Sequence, residues 1–217
     1  MQLDNETLLI LKNYAKINPS IIFDKGSVIK TISPTQTIMS KSTVKVEFPR
    51  KFALTNLDTF IGILSAFNNP YVEFQDSYLI VKEDTNKSTK MFYASEDLIT
   101  KAPNKVNLPS VDVTFELKYD DFAKVEKMAG ILGLPEICIV GDGETISLRA
   151  ENSKNPTSDS FSIDVGSTKD EFKAIFAREN LQILKRDYTV DLCFKGISHF
   201  KSDDVEYWIT IEENSKF

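Results

Sequence analysis

The chain has 217 residues, 41% of them hydrophobic, and a formal net charge of -6. That length allows one large domain or two ordinary ones, the apolar content is ample for a packed core, and disorder is therefore excluded. The acidity argues against a general surface affinity for nucleic acid or anionic membrane, and the start Met1-Gln2-Leu3-Asp4 has no basic region and no apolar run of bilayer length, so a soluble, intracellular protein is expected.

Asn5 to Ile17 places Leu8, Leu11 and Ala15 on one helical face, with Asp4 or Asn5 as cap and Pro19 as the stop. Ser20 to Phe23 and Ser27 to Ile32 read as strands joined by a turn at Asp24-Lys25-Gly26. Two more strands, Thr35 to Lys41 and Val44 to Leu54, lead to a helix with Leu57, Phe60, Ile61 and Leu64 on one face, ended by Asn68-Asn69-Pro70. Tyr71 to Phe74 and Tyr78 to Lys82 form a hairpin about Gln75-Asp76-Ser77, and after a polar tip, Glu83 to Thr89, comes a strand from Lys90 to Ala94.

Residues 99–110 contain two prolines and break every periodicity. A connector over 101–110 is expected there, between a domain of residues 1–100 and one of residues 111–217. The pattern then restarts with a strand from Val111 to Leu117, a helix from Tyr119 to Leu132 burying Phe122, Val125 and Ala129, and Gly133 as C-cap. Ile137 to Val140 and Thr145 to Arg149 flank the turn Gly141-Asp142-Gly143.

The chain also repeats itself. Phe52-Ala53-Leu54-Thr55-Asn56-Leu57 returns as Phe176-Ala177-Arg178-Glu179-Asn180-Leu181, in each case after a strand-like run. A short helix on Leu181 and Leu184 and strands at Tyr188 to Phe194 and Val205 to Ile211 are expected to follow the second copy. Many strands with one short helix per unit, and no long crossovers, predict an α+β fold of antiparallel sheet, each half with two helices side by side on one face.

Chemical signatures are sparse. His199 is the only histidine, in an expected loop, with no GxSxG run and no cysteine beside it in sequence. Cys138 and Cys193 lie within apolar runs and lack CxxC spacing, as suits reduced core residues. Asp203-Asp204 and Gly141-Asp142-Gly143-Glu144 lack the spacing of a calcium loop, and no glycine-rich phosphate cradle exists, so no metal, no cofactor and no catalysis is expected.

Charge is more informative. Residues 1–110 hold 13 Lys and Arg against 11 Asp and Glu, whereas residues 111–217 hold 13 against 21. Lys12 and Lys16 nevertheless lie opposite the apolar face of the first helix, Lys124 and Lys127 opposite that of the helix after the connector, and Arg178, Lys185 and Arg186 on or just after the expected fourth helix. Two readings of these cations stand: a solvated face, or a local positive surface for phosphates within a Debye length.

Leu8 to Asn18 (LLILKNYAKIN), Asn56 to Ser65 (NLDTFIGILS), Ala102-Pro103-Asn104-Lys105 and Phe217 carry a resemblance to a known family. In these stretches, spread over the whole chain, it resembles the sliding clamps of T-even-type bacteriophages, processivity factors of the phage DNA polymerase within the DNA clamp superfamily. The resemblance implies a homotrimeric ring of two-domain subunits, helices around a central hole and sheets outside. Its implied partners are double-stranded DNA, the DNA polymerase, a clamp loader and further copies of itself, with no membrane, in the host cell cytoplasm. By position, Lys12, Lys16, Lys124, Lys127, Arg178 and Lys185 would face the duplex. The expected second helix departs from that scheme, since it has Asp58 and no cation. The connector region would form a pocket for C-terminal peptides of partners, with Val106 and Leu108 as walls, unless these two only dock the connector on its own domain. Subunit contact would join Lys90 to Ala94 with Ser160 to Val165. A protein-binding scaffold that does not encircle DNA is the alternative function, and a hydrolase using His199 a third.

Overall fold

Asp4 opens the first helix by accepting the Thr7 amide at 2.8 Å, and α1 (Asn5–Ile17) then buries Ile10, Leu11, Tyr14, Ala15 and Ile17. Glu6 in its first turn and Lys16 in its last complement the helix dipole. Pro19 cannot continue the ladder, and Asn18 ends it with its amide on the Tyr14 carbonyl at 2.8 Å. The computed structural model describes residues 1–83, 86–155 and 157–217 and divides into two compact units, Met1–Asn104 and Lys105–Phe217.

In the first unit β1 (Ile21–Phe23), β2 (Gly26–Ile32), β3 (Ile38–Phe48) and β4 (Phe52–Leu54) pair antiparallel in the order β4-β1-β2-β3. Then come α2 (Leu57–Ala66) and a meander of β5 (Tyr71–Phe74), β6 (Tyr78–Lys82) and β7 (Ser88–Phe92). Of the polar tip expected at Glu83 to Thr89, Asp84 and Thr85 lie outside the described residues. Phe23, Phe48 and Phe52 form the aromatic centre, with Phe23 stacked on Phe52 at 4.6 Å.

One expectation in this unit fails. Thr35 to Lys41 and Val44 to Leu54 are not separate strands; β3 runs unbroken through Ser40 and Ser42, and the break falls after it, at Pro49 to Lys51. Ser42 reads as a break because its partner is remote, and Ser40, inside the expected Thr35 to Lys41 strand, shares that partner. Both are buried, and the buried Tyr14 hydroxyl lies 2.8 Å from Ser42 Oγ and 3.1 Å from Ser40 Oγ.

The second unit begins with β8 (Val113–Leu117) and α3 (Tyr119–Leu132), which Gly133 closes at φ 66°, a conformation glycine adopts without steric cost. β9 (Glu136–Asp142), β10 (Thr145–Glu151), β11 (Phe161–Ser167) and β12 (Glu171–Ala177) pair as β11-β10-β9-β12. β13 (Tyr188–Cys193), β14 (Ile197–Lys201) and β15 (Val205–Thr210) form a meander, with β8 on the far side of β13. The order of elements in the first unit, a helix, four strands paired 4-1-2-3, a turn or helix, and a meander, therefore recurs here. The fold is α+β and duplicated.

Two expectations fail in this unit. No fourth α-helix follows the second copy of the repeat, where a single 3-10 turn (Arg178–Asn180) leads through Leu181 and Leu184 straight to β13. Leu181 and Leu184 are buried as expected, but the backbone of Leu184 is satisfied by side chains: its amide donates to Tyr207 Oη at 3.2 Å and its carbonyl accepts from Tyr188 Oη at 2.8 Å. His199 lies within β14 rather than in a loop.

Candidate nucleic-acid interface

On α1 the buried positions leave one stripe exposed: Asn5, Leu9, Lys12 and Lys16. On α3 the corresponding stripe is Asp120, Lys124, Lys127 and Ile131. Both stripes follow the i, i+4, i+7, i+11 spacing of one helix face, so in each unit two lysines stand together on the side away from the sheet. α2 presents Asp58, Thr59, Gly62, Ser65 and Ala66 and no cation, as expected.

The remaining two cations are placed differently from their expected helix. Arg178 is on the 3-10 turn, half-buried, and ties that turn to α3: its Nη2 and Nε donate to Glu126 Oε1 at 2.7 and 3.1 Å. Its guanidinium also covers Gly130, where an added Cβ would lie 3.0 Å from Nη2. Arg178 thus fills, with one side chain and an ion pair, part of the space beside α3. Lys185 is exposed, with Nζ 5.8 Å from the centre of the Tyr119 ring at the start of α3. Tyr119 is itself fixed by its amide on Asp187 Oδ1 at 2.8 Å, while Lys118 Nζ reaches Asp187 Oδ2 at 2.9 Å. That amide, and then Lys118, hold the Asp187 carboxyl below its ordinary range.

A concavity of about 380 Å³ lies in the first unit, walled by Ile22, Ile32, Ile99, Ala102 and Pro103 and edged by Lys30, Lys51 and Lys101. Lys30 is its most buried cation, with Nζ 2.7 Å from Asn104 Oδ1 and 3.4 Å from Asp24. Val106 and Leu108 are half-buried and do not line it; the wall comes from residues 99–104 and from β1 and β2. Lys101 to Asn104 belong to the connector region in which a pocket was expected, and Ile99 precedes it.

The edge strands named for subunit contact are edges. Among the described residues β7 pairs only with β6, and it presents Phe92 at 66% exposure, with Lys90 Nζ 3.9 Å over the Tyr78 ring. Among the described residues β11 pairs only with β10, and it alternates half-buried Phe161, Ile163 and Val165 with exposed Ser162 and Asp164.

The candidate chemical groups are engaged structurally. His199 stacks on Trp208 at 4.7 Å, Nε2 lies 2.9 Å from Glu206 Oε2, and Nδ1 lies 3.9 Å from Asp191 Oδ2. Asp142 Oδ1 accepts the Glu144 and Thr145 amides at 3.1 and 2.7 Å, which closes the β9–β10 turn and holds its carboxyl below the usual range. Glu136, Cys138 and Glu151 bring potential ligand atoms within 4.8 Å of one another. Glu151 is ion-paired with Lys173, Glu136 accepts from Ser153 N and Oγ at 2.6 and 2.9 Å, and burial pushes the Cys138 thiol up, so this set is compensated internally. Both cysteines are buried and free.

Duplicated α+β units of this topology are the fold of a class of proteins, the DNA clamps. Solved structures share this fold: an Archaeoglobus fulgidus PCNA bound to the C-terminal region of FEN-1 has a TM-score of 0.71 at 15% identity over 96% of each chain. The β subunit of DNA polymerase III from Pseudomonas aeruginosa has a TM-score of 0.67 at 12% identity, over 98% of this chain and 64% of that one. Among curated proteins, the sliding clamp of Vibrio phage KVP40 is 33% identical over 98% of this chain and 99% of its own length. The sliding clamps of Escherichia phage RB69 and Enterobacteria phage T4 are 26% and 25% identical, each over 99% of this chain and 98% of that protein. Residues 114–213 match the family described as gp45 sliding clamp, C terminal. The chain belongs to this sliding clamp family of phage DNA polymerase processivity factors, which encircle duplex DNA.

Proposed function

We propose that three copies close head to tail into a ring, with duplex DNA passing through a hole onto which Lys12, Lys16, Lys124 and Lys127 face. The observation that carries this is the shared register of the two lysine pairs on the α1 and α3 stripes. Exposed ammonium groups on flexible stems meet phosphates without reading bases, so the grip is weak and tolerant of sliding. Retention is topological. Lys185 adds to the same surface, whereas Arg178 contributes a charge already shared with Glu126. An acidic total of -6 keeps DNA off the rest of the molecule.

Ring closure uses the two edges: β7 of one copy, with Lys90 and Phe92 beside Tyr78 of β6, pairs with β11 of the next, with Ile163 and Asp164. A heterologous contact of this kind closes if its rotation is one third of a turn. The concavity bounded by Ile99 to Asn104 receives apolar peptide termini of the polymerase, and a loader opens the ring in the host cytoplasm. The chain itself is non-catalytic, a tether rather than an enzyme.

The test is retention on primed DNA circles by gel filtration. The clamp stays on a closed circle and leaves once the circle is cut, whereas a scaffold outside the duplex shows no such dependence. Replacing Lys12, Lys16, Lys124 and Lys127 by Ala should shorten processive synthesis with the cognate polymerase and loader while leaving subunit mass in solution unchanged. Undiminished processivity removes these lysines from the mechanism.

A further inference from the structure

The cations around α3 fall into two sets. Lys124 and Lys127 on its stripe, and Lys185 beside Tyr119, have no ion-pair partner among the described residues. Lys118 and Arg178 each have one: Lys118 Nζ lies 2.9 Å from Asp187 Oδ2, and Arg178 Nη2 lies 2.7 Å from Glu126 Oε1. The Glu126 pair has a structural duty, since it ties the 3-10 turn to α3. The Lys118 pair has none of that kind, because the two side chains keep 62% and 55% of their surface in solvent, and so open a pair adds little to stability.

The pair is nevertheless held in place. Asp187 Oδ1 accepts the Tyr119 amide at 2.8 Å, so the carboxylate is anchored at the first turn of α3 and only its second oxygen serves the lysine. The bond from Asp187 holds the Lys118 ammonium above its ordinary range, while the Tyr119 amide and then Lys118 hold the carboxyl below its own, so both stay charged at neutral pH. Glu116, the other acid that acts on Lys118, already accepts from Thr189 Oγ1 at 2.8 Å. Lys118 stands two residues before Asp120, where the exposed stripe of α3 begins, and Tyr119 between them has Lys185 Nζ 5.8 Å from its ring centre. A long, flexible ammonium at the end of the stripe is thus occupied by a carboxylate of its own chain.

We propose that Asp187 is a positioning residue that limits the grip on DNA: it retains Lys118 in a pair of its own and so withholds one phosphate contact per subunit from the duplex. The proposal rests on the reading that the α3 stripe faces the duplex. Each phosphate neutralised by a cation releases counterions and tightens binding, and a clamp that slides needs few such contacts. Asp187→Asn isolates the charge from the fold, because the amide oxygen of Asn still accepts from Tyr119 while the attraction for Lys118 is gone.

The test is the salt dependence with which the full chain binds a labelled short duplex, followed by fluorescence anisotropy. Asp187→Asn should steepen the fall of log K with log salt by at least about 0.9, the increment for one further phosphate. Lys118→Ala alone should leave the slope unchanged, and Asp187→Asn with Lys118→Ala should return it to the unaltered value. A slope that Asp187→Asn does not move, one that Lys118→Ala alone lowers, or a steepening that survives the loss of Lys118 overturns the proposal. Lys124→Ala separates this inference from the reading beneath it. A slope shallower by about 0.9 in Lys124→Ala, with none of the expected change in Asp187→Asn, overturns the inference alone, whereas no change in Lys124→Ala overturns both.

Discussion

After Phe52-Ala53-Leu54 the first unit winds ten residues of helix; after Phe176-Ala177 the second turns once and runs on to β13. The local difference begins at the cap. Asn56 Oδ1 accepts the Thr59 amide at 2.8 Å and starts α2, whereas no side chain caps the turn at Arg178. Length then decides the outcome. Only residues 181–187 separate the second turn from β13, too few to offset helix nucleation, and Tyr188 and Tyr207 satisfy Leu184 instead. The comparison teaches that a duplicated frame of strands persists while one helix is replaced by two hydroxyls and an arginine.

The sharpest way to break this comparison is to empty the first unit's helix. Phe60 is fully buried, and Phe60→Ala should cost about 3–5 kcal/mol in denaturant unfolding, far more than any single change in the 3-10 turn. The hairpin glycines come next. An added Cβ at Gly26 meets nothing within 4 Å, but one at Gly141 would lie 2.7 Å from the Asp170 carbonyl and against the Phe172 ring. Gly141→Ala should therefore destabilise by about 1–3 kcal/mol through overpacking, and a neutral result would mean that β12 yields easily.

Tyr207→Phe should cost about 1–2 kcal/mol and speed exchange of the Leu184 amide, because that amide then has no partner in a buried site. No change in exchange would show that the hydroxyl does not replace the helix. Asn56→Ala should cost about 1 kcal/mol in the melting of the first unit.

The smallest effect is acid sensitivity. Asp142 and Asp187, both in the second unit, have carboxyls held low by backbone amides, joined at Asp187 by Lys118. A carboxyl whose folded pKa lies below its unfolded value, near ~3.9, stabilises fully above that value and loses its contribution as pH falls through the depressed one. Melting temperature should thus drop below about pH 4, and less steeply in Asp187→Asn; identical slopes would remove Asp187 from the account.

Sequence alone determined most of the frame. The periodicity of Asn5–Ile17 and Tyr119–Leu132, the stop at Pro19, the turn residues at Gly26 and Gly143, and the recurrence of Phe-Ala-x-x-Asn-Leu all report on contacts within a few residues. The exposed register of Lys12, Lys16, Lys124 and Lys127 was legible for the same reason: helical spacing converts position directly into direction. Tertiary structure decided what depended on distant partners. Tyr14 made Ser40 and Ser42 interior residues of one long strand, Tyr188 and Tyr207 dissolved the expected fourth helix, Glu126 claimed Arg178, and Ile22 and Ile32 completed the wall of the concavity at residues 99–104. In each case a polar group or apolar wall was completed by a residue far away in the chain, and burial, which sets the worth of such a bond, exists only once the fold has formed.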